Sequence, residues 1–324
     1  KELISRYLPH AAFWDPAEIT VEEGMNLLKQ SDIAAALSVE AQRGIIDAYD
    51  ERLHIIRPHK GQLDTAANMR ALLAGSTYVT HQAQLKVQDS YSLRCVPQIH
   101  GASKDCLGFV KDKVDIEINS ATDNPIVLPD GDVISGGNFH GEPMALPFDF
   151  LGIGISEIAN VSERRLERLI NNSLSGFPSF LVKHSGLNSG FMITQYAAAA
   201  LVSENKVLAH PASVDSIPTC ENQEDLVSMG AHAARKAGEI AFNTRRVVAT
   251  EILAACQAID LREGEGFKLG AGTQAAYDRV RETNKFIAYD KDIEMFKELE
   301  KITKLVEDGD ILDAVEDKVK LAYF

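Results

Sequence analysis

The chain has 324 residues, 45% of them hydrophobic, with 47 acidic against 33 basic side chains and a formal net charge of −14. That length and apolar share suffice for a large buried core and exclude a disordered chain. The acidic balance argues against nucleic acid or an anionic membrane as the main partner, since either selects a basic surface.

In chain order, Thr20-Val21-Glu22-Glu23 reads as a capping box that opens a helix over Gly24 to Gln30, and Ser31 reads as the cap of a second one. A further helix is expected from Asp64 to Gly75, whose missing Cβ suits a left-handed stop. Ile126-Val127-Leu128-Pro129-Asp130-Gly131-Asp132-Val133-Ile134 places a turn sequence between β-branched stretches and predicts a short hairpin. Pro143 to Leu174, Gly190 to Ala209 and Asn222 to Arg262 then carry apolar residues at three- and four-residue steps, the signature of long helices. Leu146, Leu151, Ile155, Ile158 and Val161 are the expected core positions of the first of these. The small side chains of Ala197 to Ala200 allow close helix approach in a bundle or between subunits. Glu263 to Gly272 is glycine-rich and acidic, and amphipathic charged helices follow to Phe324.

The expected fold is all-α: a long-helix bundle with a short β-hairpin and a peripheral helical C-terminal part. Apolar runs are broken well short of the roughly 20 residues that span a bilayer, so no membrane helix is expected. Cys95, Cys106, Cys220 and Cys256 show no Cys-x-x-Cys spacing, which points away from zinc or a disulfide framework and towards a reducing cytoplasm. The dispersed histidines form no His-Glu-x-x-His, so no metal is expected. Gly152-Ile153-Gly154 and Gly264-Glu265-Gly266 follow no strand and complete no nucleotide fingerprint, and Ser135 and Ser228 lack a nucleophile-elbow setting.

Two polar clusters stand out in this apolar background. Gln88-Asp89-Ser90-Tyr91-Ser92-Leu93-Arg94-Cys95 sets an amide, a phenol and a guanidinium at three-residue steps, and Asn222-Gln223-Glu224-Asp225 adds amides and carboxylates far downstream. From Asp32 to the C-terminus the chain resembles the histidine and aromatic amino acid ammonia-lyases. The resemblance rests on those two clusters and on Ile33 to Ala41, Arg57-Pro58-His59-Lys60-Gly61-Gln62, Glu117 to Pro125 and Gly136-Gly137-Asn138-Phe139-His140-Gly141-Glu142, all in one order. It divides the chain into a divergent segment, 1–31, and an ammonia-lyase-like helical domain, 32–324.

The resemblance implies elimination of ammonia from an amino acid, urocanate being the product from histidine, with an electrophilic methylidene-imidazolone group made from an Ala-Ser-Gly tripeptide. It implies that Arg94 binds the substrate carboxylate, that Gln88 and Phe139 line the pocket, and that Tyr91 and Glu224 act at the reacting amino acid, with Glu224 facing an imidazole. Phenylalanine and tyrosine lyases tend to carry glutamine at the latter place. From the residues alone, Arg94 could instead form a structural ion pair, Tyr91 and Phe139 could be core aromatics, and Glu224 could cap a helix. Leu226 departs from the histidine usual in histidine lyases, and Cys220-Glu221 replaces a small pair.

Ala-Ser-Gly occurs nowhere in the chain, and the catalytic tyrosine, histidine and Asn-Gly-Thr segment that the family places upstream have no counterpart in residues 1–31. The expectation is a truncated chain or one chain of a two-chain enzyme, inactive by itself and completed by the part bearing the prosthetic group. An aromatic ammonia-lyase or aminomutase, and a non-catalytic amino-acid-binding or assembly subunit, are the alternatives. A homotetramer whose sites draw on several subunits is the implied assembly.

Overall fold

The computed structural model describes residues 21–262 and 264–322. Its helices are α1 (Val21–Ala41), α2 (Glu51–Ile55), α3 (Lys60–Leu72), α4 (Tyr91–Arg94), α5 (Val96–Glu117), α6 (Glu142–Ile170), α7 (Asn172–Ser175), α8 (Met192–Leu208), α9 (Gly230–Asp260), α10 (Ala271–Thr283), α11 (Met295–Glu307) and α12 (Asp310–Glu316). The hairpin pairs β1 (Ile126–Val127) with β2 (Val133–Ile134) in antiparallel register, Ile126 opposite Ile134. Gly131 supplies the positive φ of the turn (92°), which a Cβ would strain. The all-α reading with one hairpin therefore holds.

α1, α5, α6, α8 and α9 form the bundle. Contacts between named side chains give the directions. Ser103 on α5 donates to the carbonyl of Gly154 on α6, and Cys106 to that of Phe150, so these two helices run antiparallel. α9 runs parallel to α6, with Gly230 near Ala145, Gly152 near Ala237, and Glu251 bonded to Arg165. Leu151, Ile155, Ile158 and Val161 are buried as expected. Leu146 is not: it is 55% exposed and forms, with Phe150 and Ile153, an outward apolar stripe on α6. That helix is apolar on more than one face, and this stripe is left outward, with only Phe150 edge-on to Phe109 at 5.8 Å among ring contacts of the described residues.

By length and composition α6 is apolar enough to cross a membrane, yet 56% of its most apolar window is buried and Arg165 is fully enclosed against Glu251. It is the central helix of the bundle. The C-terminal helices also join the common core, through Ile302, Leu305, Val306, Ile311, Leu312 and Val315.

Several boundaries differ from the sequence reading. Ser31 caps nothing: α1 runs unbroken through residues 31 and 32, and the Ser31 hydroxyl donates back to the Leu27 carbonyl at 2.8 Å. The proposed capping box includes Thr20 and lies outside the described residues. α3 starts at Lys60 rather than Asp64, where the close approach of Gly61 to Gly101 fixes its seat on α5. A Cβ on Gly61 would fall 2.1 Å from the Gly101 carbonyl oxygen. Arg57-Pro58-His59-Lys60-Gly61-Gln62 is thus a packing device, with the Gly61 amide donating to Asp105 at 2.7 Å. The long helix expected from Asn222 begins at Gly230, because Cys220, Glu221 and Asn222 all take positive φ and turn the chain.

Candidate functional site

Tyr91 and Arg94 are the first and last residues of the short helix α4, three positions apart and therefore on one face. Tyr91 is 70% exposed, which sets aside a core role, and the Arg94 guanidinium lies over its ring at 4.8 Å. Arg94 has no carboxylate at ion-pair distance among the described residues, and its Nε is buried without an acceptor. The alternative of a structural ion pair is therefore not realised. Gln88 is exposed in the extended segment just before α4.

The ground beneath α4 is a buried ionic network. Glu251 receives Arg165 Nε at 2.6 Å and Nη2 at 2.9 Å, a bidentate pair, together with the hydroxyls of Ser38 and Ser162, each at 2.6 Å. The third guanidinium nitrogen, Arg165 Nη1, reaches His100 Nε2 at 3.3 Å and the Ser92 carbonyl at 3.4 Å. His100 Nδ1 lies 2.8 Å from Asp32, which also takes Lys104 and the Asn68 amide. Burial pushes the Asp32 carboxyl up, but Lys104 and His100 more than offset this and hold it below its ordinary range. Burial pushes His100 down, which favours the neutral ring donating through Nδ1 and accepting from Arg165 at Nε2.

Phe139 and Glu224 sit elsewhere. Phe139 is 51% exposed in the loop that enters α6, and Glu224 is exposed in the loop before α9. His140 accepts the Glu142 amide at Nδ1 (3.3 Å), so its Nε2 donates to the Leu226 carbonyl (3.0 Å) and ties the two loops together. Glu224 caps no helix; its backbone pairs with Thr219 in an isolated bridge, and its carboxylate accepts the Thr219 hydroxyl. The bridge encloses the three positive-φ residues, a strained turn that holds the carboxylate outward.

The structure thus brings Tyr91 to Arg94 and the Phe139 loop to the Glu224 loop, but not the first pair to the second. Ser92 touches Arg165, while Phe139 precedes Glu142, and 23 residues of α6 at 1.5 Å each separate those points by about 35 Å. Each pair faces outward from one end of the bundle.

The model of the family described as aromatic amino acid lyase matches residues 17–282. The chain belongs to that family. It is 68% identical over 305 residues to a histidine ammonia-lyase of Clostridium tetani, covering 94% of this chain and 59% of that protein. It is 65% identical over 300 residues to one of Streptococcus gordonii, covering 93% and 58%. Among solved structures, it superimposes on histidine ammonia-lyase from Trypanosoma cruzi with a TM-score of 0.84 at 43% identity, covering 93% of this chain and 56% of that one. Tyrosine aminomutase from Streptomyces globisporus gives 0.88 at 35% identity, covering 93% and 61%. The chain spans somewhat under three fifths of the length of these curated relatives.

Arg165, Glu251 and Tyr49 escaped the sequence reading. Arg165 lies in Ser162-Glu163-Arg164-Arg165, which reads as a solvated charge run, yet the side chain of Arg164 is 54% exposed and that of Arg165 is fully buried. Glu251, an isolated carboxylate in the apolar stretch Val247 to Ala255, was the available signal.

Proposed function

We propose that this chain is the portion of a histidine ammonia-lyase that recognises the amino acid, and that the whole protein eliminates ammonia from L-histidine to give urocanate. The observation that carries this reading is Arg94: a half-buried guanidinium without a carboxylate partner among the described residues, steadied by the exposed Tyr91 ring beside it. A planar fork in that state is suited to accept an amino acid carboxylate bidentately. Tyr91 presents its hydroxyl next to the bound carboxylate, within reach of the reacting carbons, and Gln88 adds an amide at the same edge. Glu224 offers an acceptor for an imidazole N–H, and Phe139 offers an aromatic wall.

The residues of this chain do not include the tripeptide from which the family's methylidene-imidazolone is made, so they do not themselves generate that electrophile. When present, the group activates the amine for departure, which no ordinary side chain does. The work of this chain is to bind, orient and exclude water around the amino acid. Because Tyr91 and Arg94 lie about 35 Å from Phe139 and Glu224 along α6, we infer that a site forms where one copy's α4 meets another copy's Glu224 loop, in a homotetramer. The outward stripe of Leu146, Phe150 and Ile153 on α6, with Ile193 and Tyr196 on α8, supports such an assembly. A cytoplasmic setting is in keeping with the four free thiols.

The test is urocanate absorbance on adding histidine to the full-length protein, with phenylalanine and tyrosine as competitors. Urocanate from histidine alone is the expected result. Cinnamate or coumarate would move the substrate to the aromatic class, a β-amino acid would make the protein an aminomutase, and amino acid binding without turnover would make it a binding subunit.

A further inference from the structure

α4 is too short to hold itself in place. It has four residues, no side-chain cap at its N-terminus, and only Leu93 buried. The segment 89–93 is nevertheless tied to the core at three points, two of them backbone carbonyls of α4. The Asp89 carboxylate, just upstream, accepts the Ile45 amide at 2.6 Å; Arg165 Nη1 donates to the Ser92 carbonyl at 3.4 Å; and the Tyr49 hydroxyl donates to the Leu93 carbonyl at 2.8 Å. Tyr49 and Arg165 are among the largest fully buried side chains of the described residues. Burial pushes the Tyr49 phenol far up, so it stays a donor. Arg165 is itself fixed by its bidentate bond to Glu251, which belongs to α9 and is held by Ser38 of α1.

We propose that Tyr49 and Arg165 are positioning residues for substrate binding: from inside the core they hold the carbonyls of Ser92 and Leu93, and so aim the Tyr91 and Arg94 side chains into the amino acid site. This rests on the reading that Arg94 binds the substrate carboxylate. A fully buried guanidinium whose Nη1 is divided between His100 and an α4 carbonyl links that turn to four bundle helices, α1, α5, α6 and α9. Loss of either link leaves Arg94 charged and present, but less firmly aimed from a turn that has no side-chain cap of its own.

The experiment compares Tyr49→Phe, Arg165→Lys and Arg94→Ala in the full-length protein, using two inhibitors of histidine turnover. 3-(Imidazol-4-yl)propionate carries the carboxylate without the amine; histamine carries the amine without the carboxylate. Tyr49→Phe and Arg165→Lys are expected to weaken the propionate about tenfold and to leave histamine within about twofold, an asymmetry that loosened packing alone would not produce. Added to Arg94→Ala, neither should cause further loss against the propionate, because coupled residues are non-additive. Equal weakening of both inhibitors, additive losses in the double variants, or no change in Tyr49→Phe would overturn the positioning role. Tyr49→Phe keeps its ring in the core and carries the test if Arg165→Lys does not assemble. Arg94→Ala alone checks the underlying reading. If it does not distinguish the inhibitors, the carboxylate assignment fails, whereas normal discrimination by Arg94 with indifferent anchors fails only the positioning claim.

Discussion

Tyr91 and Arg94 stand on a turn bolted to a buried ionic network, whereas Phe139 and Glu224 stand on surface loops joined by one histidine hydrogen bond and shaped by a run of positive-φ residues. The same pair of parallel helices, α6 and α9, serves both: their N-termini carry the loops, and about six turns further on they carry Arg165 and Glu251. A charged group that must bind a charged ligand benefits from rigid aim at one end. The other end needs reach and an outward carboxylate, and gets both from loops. Long helices make the two ends distant within one copy, which is why the proposed site joins neighbouring copies.

The largest expected effect falls on the buried end. Glu251→Ala removes the carboxylate that faces Arg165 and two serine hydroxyls, leaving an unpaired buried guanidinium, and should cost about 3–5 kcal/mol; thermal unfolding with a normal midpoint would break the claim that the network holds the bundle. Arg94→Ala comes next. It should leave unfolding unchanged and lower kcat/KM for histidine about a hundredfold, the scale of a lost charge-assisted pair. A fall in stability instead would return Arg94 to a structural role.

Glu40 sharpens the contrast within the buried end. Asp32 is flanked by Lys104 and His100, but Glu40 meets only neutral donors from Gly270, Ser76 and Thr273, and burial pushes its carboxyl up to about 7 from 4.5. The folded state then holds a proton that the unfolded state releases, so stability is fully present below pH 4.5 and declines as pH rises to about 7. At about 1.4 kcal/mol per pH unit the loss approaches about 3 kcal/mol. Glu40→Gln, which keeps an acceptor for Gly270, should raise the unfolding midpoint relative to wild type at pH 8 and change it little at pH 4.5. A difference independent of pH would reject this.

The smallest effect is expected at the loop end. Glu224→Gln keeps the shape and removes the charge, and should reduce histidine turnover about tenfold more than turnover of an aromatic amino acid. Equal, minor effects on both would remove Glu224 from substrate selection.

The helices were legible because apolar residues at three- and four-residue steps report burial directly, as at Leu151, Ile155 and Ile158. Leu146 shows the limit: the same periodicity marks a face covered from within the chain and one left outward. That Tyr91 and Arg94 share a face was legible from their local spacing, since they fall three positions apart on one turn. Their supports were not, because Arg165 depends on contacts to residues 65 and 86 positions away. The start of α9 was misread for a similar reason: a bridge from Thr219 to Glu224 overrides helical periodicity over Asn222 to Met229.

The central claim, that the Arg94 end of one copy and the Glu224 end of another complete one site, is tested most directly by mixing defects. Full-length protein carrying Arg94→Ala and full-length protein carrying Glu224→Ala, each with little histidine turnover, are co-assembled and assayed for urocanate. If the two residues reach a site from different copies, hybrid assemblies contain some sites with both residues intact, and turnover rises well above that of either variant. If both residues serve a site from the same copy, every site in the hybrid keeps one defect, and activity no higher than that of the parents contradicts the account.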